Sequence, residues 1–366
     1  MDLEKFAENI NTTGFVLEFR ISQLLRDHDW NVINNRYYID DITGTVREID
    51  IVAYKAAKFE EYNTFTGLII SCKKSAGNVW VLLSKERNLT DPNIDWTIAH
   101  TWTNHKALKF MTDDRKWREQ YFASAASAGI SHSLCIPETH IFAFQEMKKS
   151  NYHVQNNKAI FESVTSLIKA QAYEIESLDK RKRAPCLYQF NLLSVFDSDL
   201  IRLSFTQDDI IALEVPQDHY LIQYIVNQRA TSAIVHFVTE GAFQEILDDY
   251  DKLHQFNDTY FKSLHHDFYA DAVENSNKRE VYLDDFISDI LWYITWRVSS
   301  KIGKEQIRLY WEKSDTESLL HIEIDSDVDL EKCNDDRLLK ERIGAALEQH
   351  YKYTGPFKIT KYDIPF

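Results

Sequence analysis

The sequence predicts an α/β protein: a mixed sheet flanked by helices, then a β-rich and helical region, and finally a small C-terminal α+β unit. Segments rich in β-branched residues alternate with amphipathic helical patterns along most of the chain. Glycine and proline are scarce, at 9 and 6 of 366 residues, and 44% of the residues are hydrophobic. This composition is sufficient for a buried core and excludes collagen-like, low-complexity and disordered chains.

The first 75 residues predict a helix followed by three strands. The helix covers residues 14–28, where apolar side chains recur at helical spacing on one stripe. The strands cover Asn31–Ile39, Thr45–Tyr54 and Thr66–Cys72, which are rich in β-branched residues. A DITG turn at Asp41–Gly44 separates the first two strands.

The rest of the chain continues this alternation of strands and helices. Further strands are predicted at His140–Phe144, Leu187–Phe196, Leu200–Phe205, Ile210–Val215, His219–Val226, Ala233–Thr239, Gln306–Glu312, Leu319–Ile324 and Phe357–Tyr362. Further helices are predicted at Lys158–Leu178, Gln244–Tyr269, Leu283–Ser300 and Asp336–Tyr351. The pattern leaves open whether the strands within residues 185–240 extend the first sheet or form a module of their own.

The predicted domain organisation has three parts. A basic cluster, Lys180–Arg183, is followed by Ala184–Pro185 and gives a plausible boundary. We therefore expect a first domain over residues 1–183, an acidic strand-rich and then helical region over 184–300, and the small unit over 301–366.

The net charge of −15 is distributed unevenly. Residues 1–183 contain 24 basic and 24 acidic residues, whereas residues 184–366 contain 18 and 33. A strongly acidic surface repels a phosphate backbone, so we expect any contact with DNA in the first half and a protein partner, if there is one, on the acidic half.

The basic residues expected to contact nucleic acid lie mainly between residues 91 and 183. This stretch contains 13 basic and 11 acidic residues. The candidates are Lys106, Lys109 and Lys116, together with Lys74 after the third strand. The oligomeric state stays open, and a homo-oligomer is compatible with the sequence.

Several other classes of protein are disfavoured. The four cysteines form no CxxC pair, and neither a GxxxxGK[ST] nor a GxGxxG phosphate loop is present. No apolar run approaches the ~20 residues that span a bilayer, and the first ten residues lack a basic and then apolar secretory pattern. We expect a cytoplasmic protein without a membrane partner.

A set of polar residues in the first three strands and their preceding helix could carry chemistry. Glu18 lies on the helix, Asp50 lies in the middle of the strand VREIDIVAY, and Ser71 and Lys73 lie at the end of GLIISCKKS. Side chains two apart on a strand point to the same side, so Ser71 and Lys73 share one face.

This arrangement resembles the PD-(D/E)xK, or restriction-endonuclease-like, nuclease superfamily. The resemblance implies a DNA endonuclease, in a restriction or defence role, that uses Mg²⁺ or, in its place, Mn²⁺. Carried over by position, Asp50, Glu18 and the main-chain carbonyl of Cys72 would bind the metal, and Lys73 would orient the attacking water or stabilise charge on the phosphate. Ser71 stands where the superfamily usually has Glu, Asp or Gln, so one anionic ligand is missing.

Two alternatives follow from the same residues. Because Ser71 replaces the second acidic group, the chain could be a catalytically reduced nuclease fold that binds nucleic acid or regulates another protein. It could also be mainly an interaction scaffold, since 8 Trp and 19 Tyr are available as interface anchors, although core packing explains them equally well.

Overall fold

The computed structural model describes residues 3–75, 77–298, 302–313, 318–326 and 329–362. Within these ranges the chain forms nine α-helices and fourteen β-strands. The helices are α1 (Leu3–Ile10), α2 (Phe15–Asp27), α3 (Lys106–Asp113), α4 (Arg115–Ser127), α5 (Lys158–Arg181), α6 (Phe243–Ala270), α7 (Ser276–Val298), α8 (Leu330–Asp335) and α9 (Arg337–Tyr351). The strands are β1 (Asn31–Ile39), β2 (Val46–Lys58), β3 (Asn63–Lys73), β4 (Asn78–Glu86), β5 (His100–Thr103), β6 (Thr139–Lys148), β7 (Cys186–Phe196), β8 (Leu200–Phe205), β9 (Ile210–Glu214), β10 (Gln217–Val226), β11 (Arg229–Thr239), β12 (Ile307–Lys313), β13 (Ser318–Ile324) and β14 (Phe357–Lys361).

The chain divides into two compact units. The first unit contains Met1–His105 and Thr112–Phe261, and the second contains Lys106–Met111 and Lys262–Phe366. This division differs from the predicted three parts, because the expected boundary after residue 183 lies inside the first unit. The physical reason is that β7, which follows that boundary, forms a long parallel ladder with β3.

The first unit is built on a seven-stranded mixed sheet with the order β1-β2-β3-β7-β11-β10, in which β5 also pairs with β7. The β1–β2 and β2–β3 pairs are antiparallel, whereas β3, β7 and β11 run parallel to one another. The mixed α/β class is therefore confirmed. The open question about residues 185–240 is also answered: β7, β10 and β11 extend the first sheet, and β8 and β9 join β4 and β6 in a second, four-stranded sheet.

Helices pack against the large sheet, and its central parallel strands are buried on both faces. All eleven residues of β7 are buried, which is typical of a parallel strand between two layers. On one face, α5 buries Val164 and Leu167 in the same core cluster as Ile69 of β3. Helix α2 buries an apolar stripe that includes Leu17 and Ile21, as its helical periodicity predicts.

The second unit contains the small C-terminal α+β fold. Its three-stranded sheet has the order β12-β13-β14, with an antiparallel and a parallel pair. Side chains of α7 and α9, such as Phe286 and Ile343, share a core with Ile322 of β13. The predicted strands and last helix of this unit agree with the observed elements to within a few residues.

The main disagreements with the predicted elements lie between the end of β3 and the start of β6. The apolar strand β4 and the elements from β5 to α4 lie in a stretch to which no strand or helix was assigned. The last two residues of the helix predicted over Leu283–Ser300 lie outside the described residues. No helix in the described ranges has the length and apolar character needed to cross a bilayer.

Candidate active site

Asp50 and Lys73 form a carboxylate–ammonium pair at the end of β3. Strands β2 and β3 are paired with Ile51 opposite Ile70, which brings Asp50 alongside the last residues of β3. The Oδ2 atom of Asp50 accepts a hydrogen bond of 2.6 Å from the backbone N–H of Cys72. The same oxygen lies 3.8 Å from Lys73 Nζ, and both side chains keep part of their surface exposed. The pair is therefore fixed in place and still accessible to a substrate.

Glu18 on α2 belongs to the same electrostatic neighbourhood. Burial of this side chain raises the pKa of its carboxyl group above the usual value, and the negative charges of Asp50 and Glu48 raise it further. The positive charge of Lys73 acts in the opposite direction on the same pKa. The carboxyl group of Glu18 is therefore within electrostatic reach of both Asp50 and Lys73.

Ser71 lies two residues before Lys73 in β3, but its hydroxyl group is not accessible. The residue is 1% exposed. Its buried Oγ makes no hydrogen bond within the part of the chain that the structure describes. In the parallel ladder Ser71 lies beside Ser194, whose hydroxyl is 2.7 Å from that of Ser163. Ser71 therefore offers neither an anionic ligand nor an exposed nucleophile.

Cys72 contributes its backbone N–H to the site. Its thiol is buried, and burial together with the charges of Asp50 and Glu18 raises the thiol pKa well above the ordinary value. A thiol of this kind stays protonated at neutral pH and is a poor nucleophile. The role carried over by resemblance, a carbonyl ligand to a metal, is unaffected by the state of the thiol.

The segment after Lys73 is fixed by Asp197, which directly follows β7. The backbone N–H of Asp197 donates to the carbonyl oxygen of Lys73 at 3.3 Å. Its carboxylate accepts a 2.7 Å hydrogen bond from Ser75 N–H and lies 3.4 Å from Lys74 Nζ. The Ser75 hydroxyl in turn donates to the buried carboxylate of Glu146 at 2.6 Å. Two acidic residues thus hold the main chain next to the candidate lysine.

The sequence alone did not assign Asp197 or Glu146 to the site. The available signal was that Asp197 immediately follows the predicted strand Leu187–Phe196. Parallel strands end at the same edge of a sheet, so polar residues after β3 and β7 meet there. The parallel pairing of these two strands was needed to use that signal, and it could not be predicted.

We expect the substitution Asp197→Ala to lower the free energy of unfolding by about 1–3 kcal/mol, because Ser75 N–H loses a charged acceptor. Asp197→Asn should cost less, since its amide oxygen can still accept that hydrogen bond. Urea unfolding of the two variants and the parent measures both effects. Equal destabilisation by the two substitutions would show that the hydrogen bond to Ser75 contributes little.

An acidic groove lies at the carboxyl ends of β7 and β11. Its volume is about 660 Å³, and the acidic side chains that line it are Asp197, Asp199, Glu214 and Glu240. Three of these carboxylates are paired with basic side chains: Asp199 with Lys149 at 3.0 Å, Glu240 with Arg20 at 3.0 Å, and Asp197 with Lys74. The negative charge that remains is that of Glu214, and it disfavours a phosphate at this end of the groove and favours a cationic group.

The lysines expected to contact DNA are divided between the two compact units, and two of them are paired with carboxylates. Lys74 donates to the carbonyl oxygen of Asn11 at 2.6 Å and also pairs with Asp197. Lys106 pairs with Asp285, and both Lys106 and Lys109 belong to the second compact unit, whereas Asp50 and Lys73 belong to the first. Lys116 is exposed on α4 in the first unit. Part of the positive charge expected to bind DNA is therefore neutralised by neighbouring carboxylates.

Another group of possible metal ligands combines a histidine next to the end of α2 with two aspartates of α6. The side chains of His28, Asp248 and Asp251 bring three ligand atoms within 4.8 Å of one another. Asp251, however, already accepts hydrogen bonds from Trp30 Nε1 at 2.8 Å and from Lys55 at 2.6 Å. These hydrogen bonds account for the position of the Asp251 carboxylate without a metal ion.

The fold and the site define a mixed α/β protein with a paired carboxylate and lysine and a second carboxylate close by. No family model matches the chain, and the comparisons with curated proteins and with solved structures gave no match. The functional conclusion therefore depends on the geometry of Glu18, Asp50 and Lys73.

Proposed function

We propose that this chain is a metal-dependent phosphodiesterase of the PD-(D/E)xK type that cuts DNA. The observation that carries the proposal is the 3.8 Å pair between Asp50 Oδ2 and Lys73 Nζ, with Glu18 close enough for both charges to influence its pKa. These are the three residues that the sequence resemblance implied, on a mixed sheet flanked by helices. A restriction or defence role is an extension of the same resemblance.

The residues present fit a weak site for Mg²⁺ or Mn²⁺. Asp50 and Glu18 would bind the ion, which needs only one or two carboxylates when waters complete its coordination. The neighbouring negative charge of Asp50 raises the pKa of Glu18, so a cation between the two groups would relieve an unfavourable interaction. When bound, the ion would polarise a phosphoryl oxygen and lower the pKa of a bound water.

Besides the metal ion, the site would contain a positive charge from the protein, the ammonium of Lys73. Its ammonium is kept at the end of β3 by Asp50, and Asp197 fixes its main-chain carbonyl. A fixed cation at this point stabilises negative charge that develops on a phosphate in the transition state.

The proposal is tested by incubating the purified full chain with single-stranded and double-stranded DNA in Mg²⁺ or Mn²⁺. We expect cleavage that depends on the divalent ion and stops when the ion is chelated. RNA substrates in parallel reactions establish which nucleic acid is preferred. Failure to cut any DNA substrate with either ion, in a folded preparation, would contradict the proposal.

A second candidate function is a catalytically reduced nuclease fold that binds nucleic acid. The observation that favours it is the buried Ser71, which leaves the site with two carboxylates where the resemblance implies a third polar ligand. Binding would then depend on lysines that are not already neutralised, such as the exposed Lys116, and would weaken steeply with salt.

The substitution Ser71→Asp distinguishes the two candidates, with Ser71→Asn as the uncharged control of the same shape. If the site is reduced, we expect Ser71→Asp to bind Mg²⁺ about tenfold more tightly than Ser71→Asn and to gain DNA cleavage, since ligand charge sets affinity. Calorimetric titration and the cleavage assay measure both effects, with circular dichroism to confirm folding. An active parent protein would contradict the reduced-site candidate.

A further inference from the structure

Strand β9 forms an exposed edge of the four-stranded sheet. Its order is β6-β4-β8-β9, so β9 pairs with β8 on one side and has no strand on the other within the described residues. All five residues of β9 are exposed. Three of them are large and apolar: Ile210, Ile211 and Leu213 have more than half of their surface accessible.

This edge lacks the features by which proteins usually protect an edge strand. Natural edges are blocked by lysine, proline, bulges or a covering segment, because free N–H and C=O groups invite another strand to pair. The segment IIALE contains neither lysine nor proline, and its ladder with β8 is regular from Phe205 opposite Ile210 to Ile201 opposite Glu214. An unprotected apolar edge of this kind is typical of a surface that adds a strand from a partner.

The charges at the two ends of β9 indicate what kind of strand would pair. Asp208 and Asp209 precede it, Glu214 ends it, and all three are exposed. Glu214 also lines the acidic groove defined above, whose other three carboxylates are paired with basic side chains. A segment that pairs with β9 therefore meets negative charge at both of its ends.

A second copy of this chain is a poor occupant for the same reason. Antiparallel self-pairing centred on Ala212 would place Asp208 of one copy diagonally opposite Glu214 of the other. Like charges at such positions destabilise a strand pair, and each copy carries a net charge of −15. Charge complementarity favours a basic partner.

We propose that β9 is a docking strand for an extended segment of a partner protein, apolar in its middle and basic at its ends. Main-chain hydrogen bonds to the free edge would supply affinity, and Ile211 and Leu213 would contact alternate side chains of the added strand. A lysine or arginine beyond the paired residues would reach the acidic groove next to Glu214. This surface does not depend on the nuclease proposal.

The experiment selects random twelve-residue peptides, displayed on phage, on the immobilised full chain. We expect the enriched peptides to alternate apolar and polar residues with a period of two and to carry lysine or arginine at one or both ends. Enriched peptides that are acidic, that show helical spacing, or that have no shared pattern would overturn the proposal.

The double substitution Ile211→Lys and Leu213→Lys tests the location, with Leu89→Lys as the control at an exposed apolar residue outside the strands. We expect the double variant to bind an enriched synthetic peptide at least about tenfold more weakly, a loss of about 1.4 kcal/mol, and the control to bind like the parent. Unchanged binding by the double variant, or a dimer of the parent that this variant dissociates, would overturn the proposal.

Hydrogen exchange gives a readout that needs no variant. The outward N–H groups of Ile211–Glu214 should exchange rapidly in the free protein and become protected when the peptide is bound. The N–H of Ile210 is left out because it already donates to Asp209 Oδ1 at 2.8 Å. Protection confined to other segments would place the peptide elsewhere and overturn the proposal.

Discussion

Asp50→Asn is expected to reduce divalent-dependent DNA cleavage by at least about a hundredfold, the scale on which loss of one key electrostatic group acts in other active sites. The substitution removes the charge that faces Lys73 and Glu18 but keeps the shape of the side chain. Its amide oxygen can still accept the hydrogen bond from Cys72 N–H, which is 2.6 Å long in the parent. A loss of cleavage in this variant is therefore due to the missing charge and not to a change in the main chain at the end of β3.

Matched substitutions separate this effect from a loss of folding. Lys73→Met, which removes the ammonium 3.8 Å from Asp50, should also reduce cleavage by at least about tenfold. Glu86→Gln removes an exposed carboxylate at the end of β4 and should cleave DNA like the parent. Cleavage rates are compared at saturating Mg²⁺, and unfolding curves confirm that each variant is folded. Cleavage by Asp50→Asn at the parental rate would exclude Asp50 from the chemistry.

The elements that carry these residues could be predicted because their signals are local. The apolar stripe of α2 repeats at helical spacing, and β1, β2 and β3 are rich in β-branched residues. Ser71 and Lys73 both lie in β3, where strand geometry puts side chains two apart on the same face. Local periodicity was therefore enough to place the three candidate groups on a helix and two strands.

The surroundings of the site could not be predicted because they come from distant parts of the chain. The ladder that joins Ile70 of β3 to Leu193 of β7 links segments more than a hundred residues apart, and no local pattern specifies it. Asp197 reaches Lys73 only through that ladder. The same holds for the ion pair of Lys106 with Asp285, which neutralises a residue that the sequence presented as free to bind DNA.

The burial of Ser71 has a similar origin. A small polar residue at a strand end can be exposed or covered, and the segments of the chain that surround it decide between the two. The sequence showed that an expected acidic residue was missing. The structure adds that the hydroxyl in its place is enclosed beside Ser194.

Two stacked histidines in the first unit, the buried His236 and the half-buried His219, should make stability depend on pH. The rings of His219 and His236 are stacked with their centres 4.2 Å apart. His219 Nε2 is 2.8 Å from the carbonyl oxygen of His132, and His236 Nδ1 is 3.1 Å from the hydroxyl of Tyr250. Burial lowers the pKa of both imidazoles, and for His236 the neighbouring rings of His219 and His132 lower it further.

Nearby acidic groups oppose this effect without cancelling it. The carboxylates of Asp218 and Glu138 raise the pKa of His219, as does its hydrogen bond to His132, but burial is the larger influence. The thiol of Cys135, 3.7 Å from His219 Nε2, has a pKa raised to about 12 and stays neutral. The folded protein therefore keeps both histidines uncharged at a pH where the unfolded chain would protonate them.

The free energy of unfolding should fall as the pH drops below about 6.5, the ordinary histidine pKa. Unfolding takes up protons in this range, because the unfolded chain binds them and the folded pair does not. Each histidine contributes a slope of up to about 1.4 kcal/mol per pH unit, so the pair together contributes up to about 3 kcal/mol per unit. Above pH 7 both states are uncharged at these positions, and the contribution of the pair to stability is fully present.

Urea unfolding at several pH values between 8 and 5 measures this slope. His236→Gln should remove the contribution of one histidine, about 1.4 kcal/mol per pH unit at most, whatever its effect on stability at pH 8. The control His153→Gln, at an exposed histidine in a loop, should keep the slope of the parent. The quantity compared is the slope of the free energy of unfolding against pH. A cavity left by the substitution shifts this free energy equally at all pH values, whereas a change in proton uptake alters the slope. A parental slope in His236→Gln would mean that other groups are responsible for the loss of stability in acid.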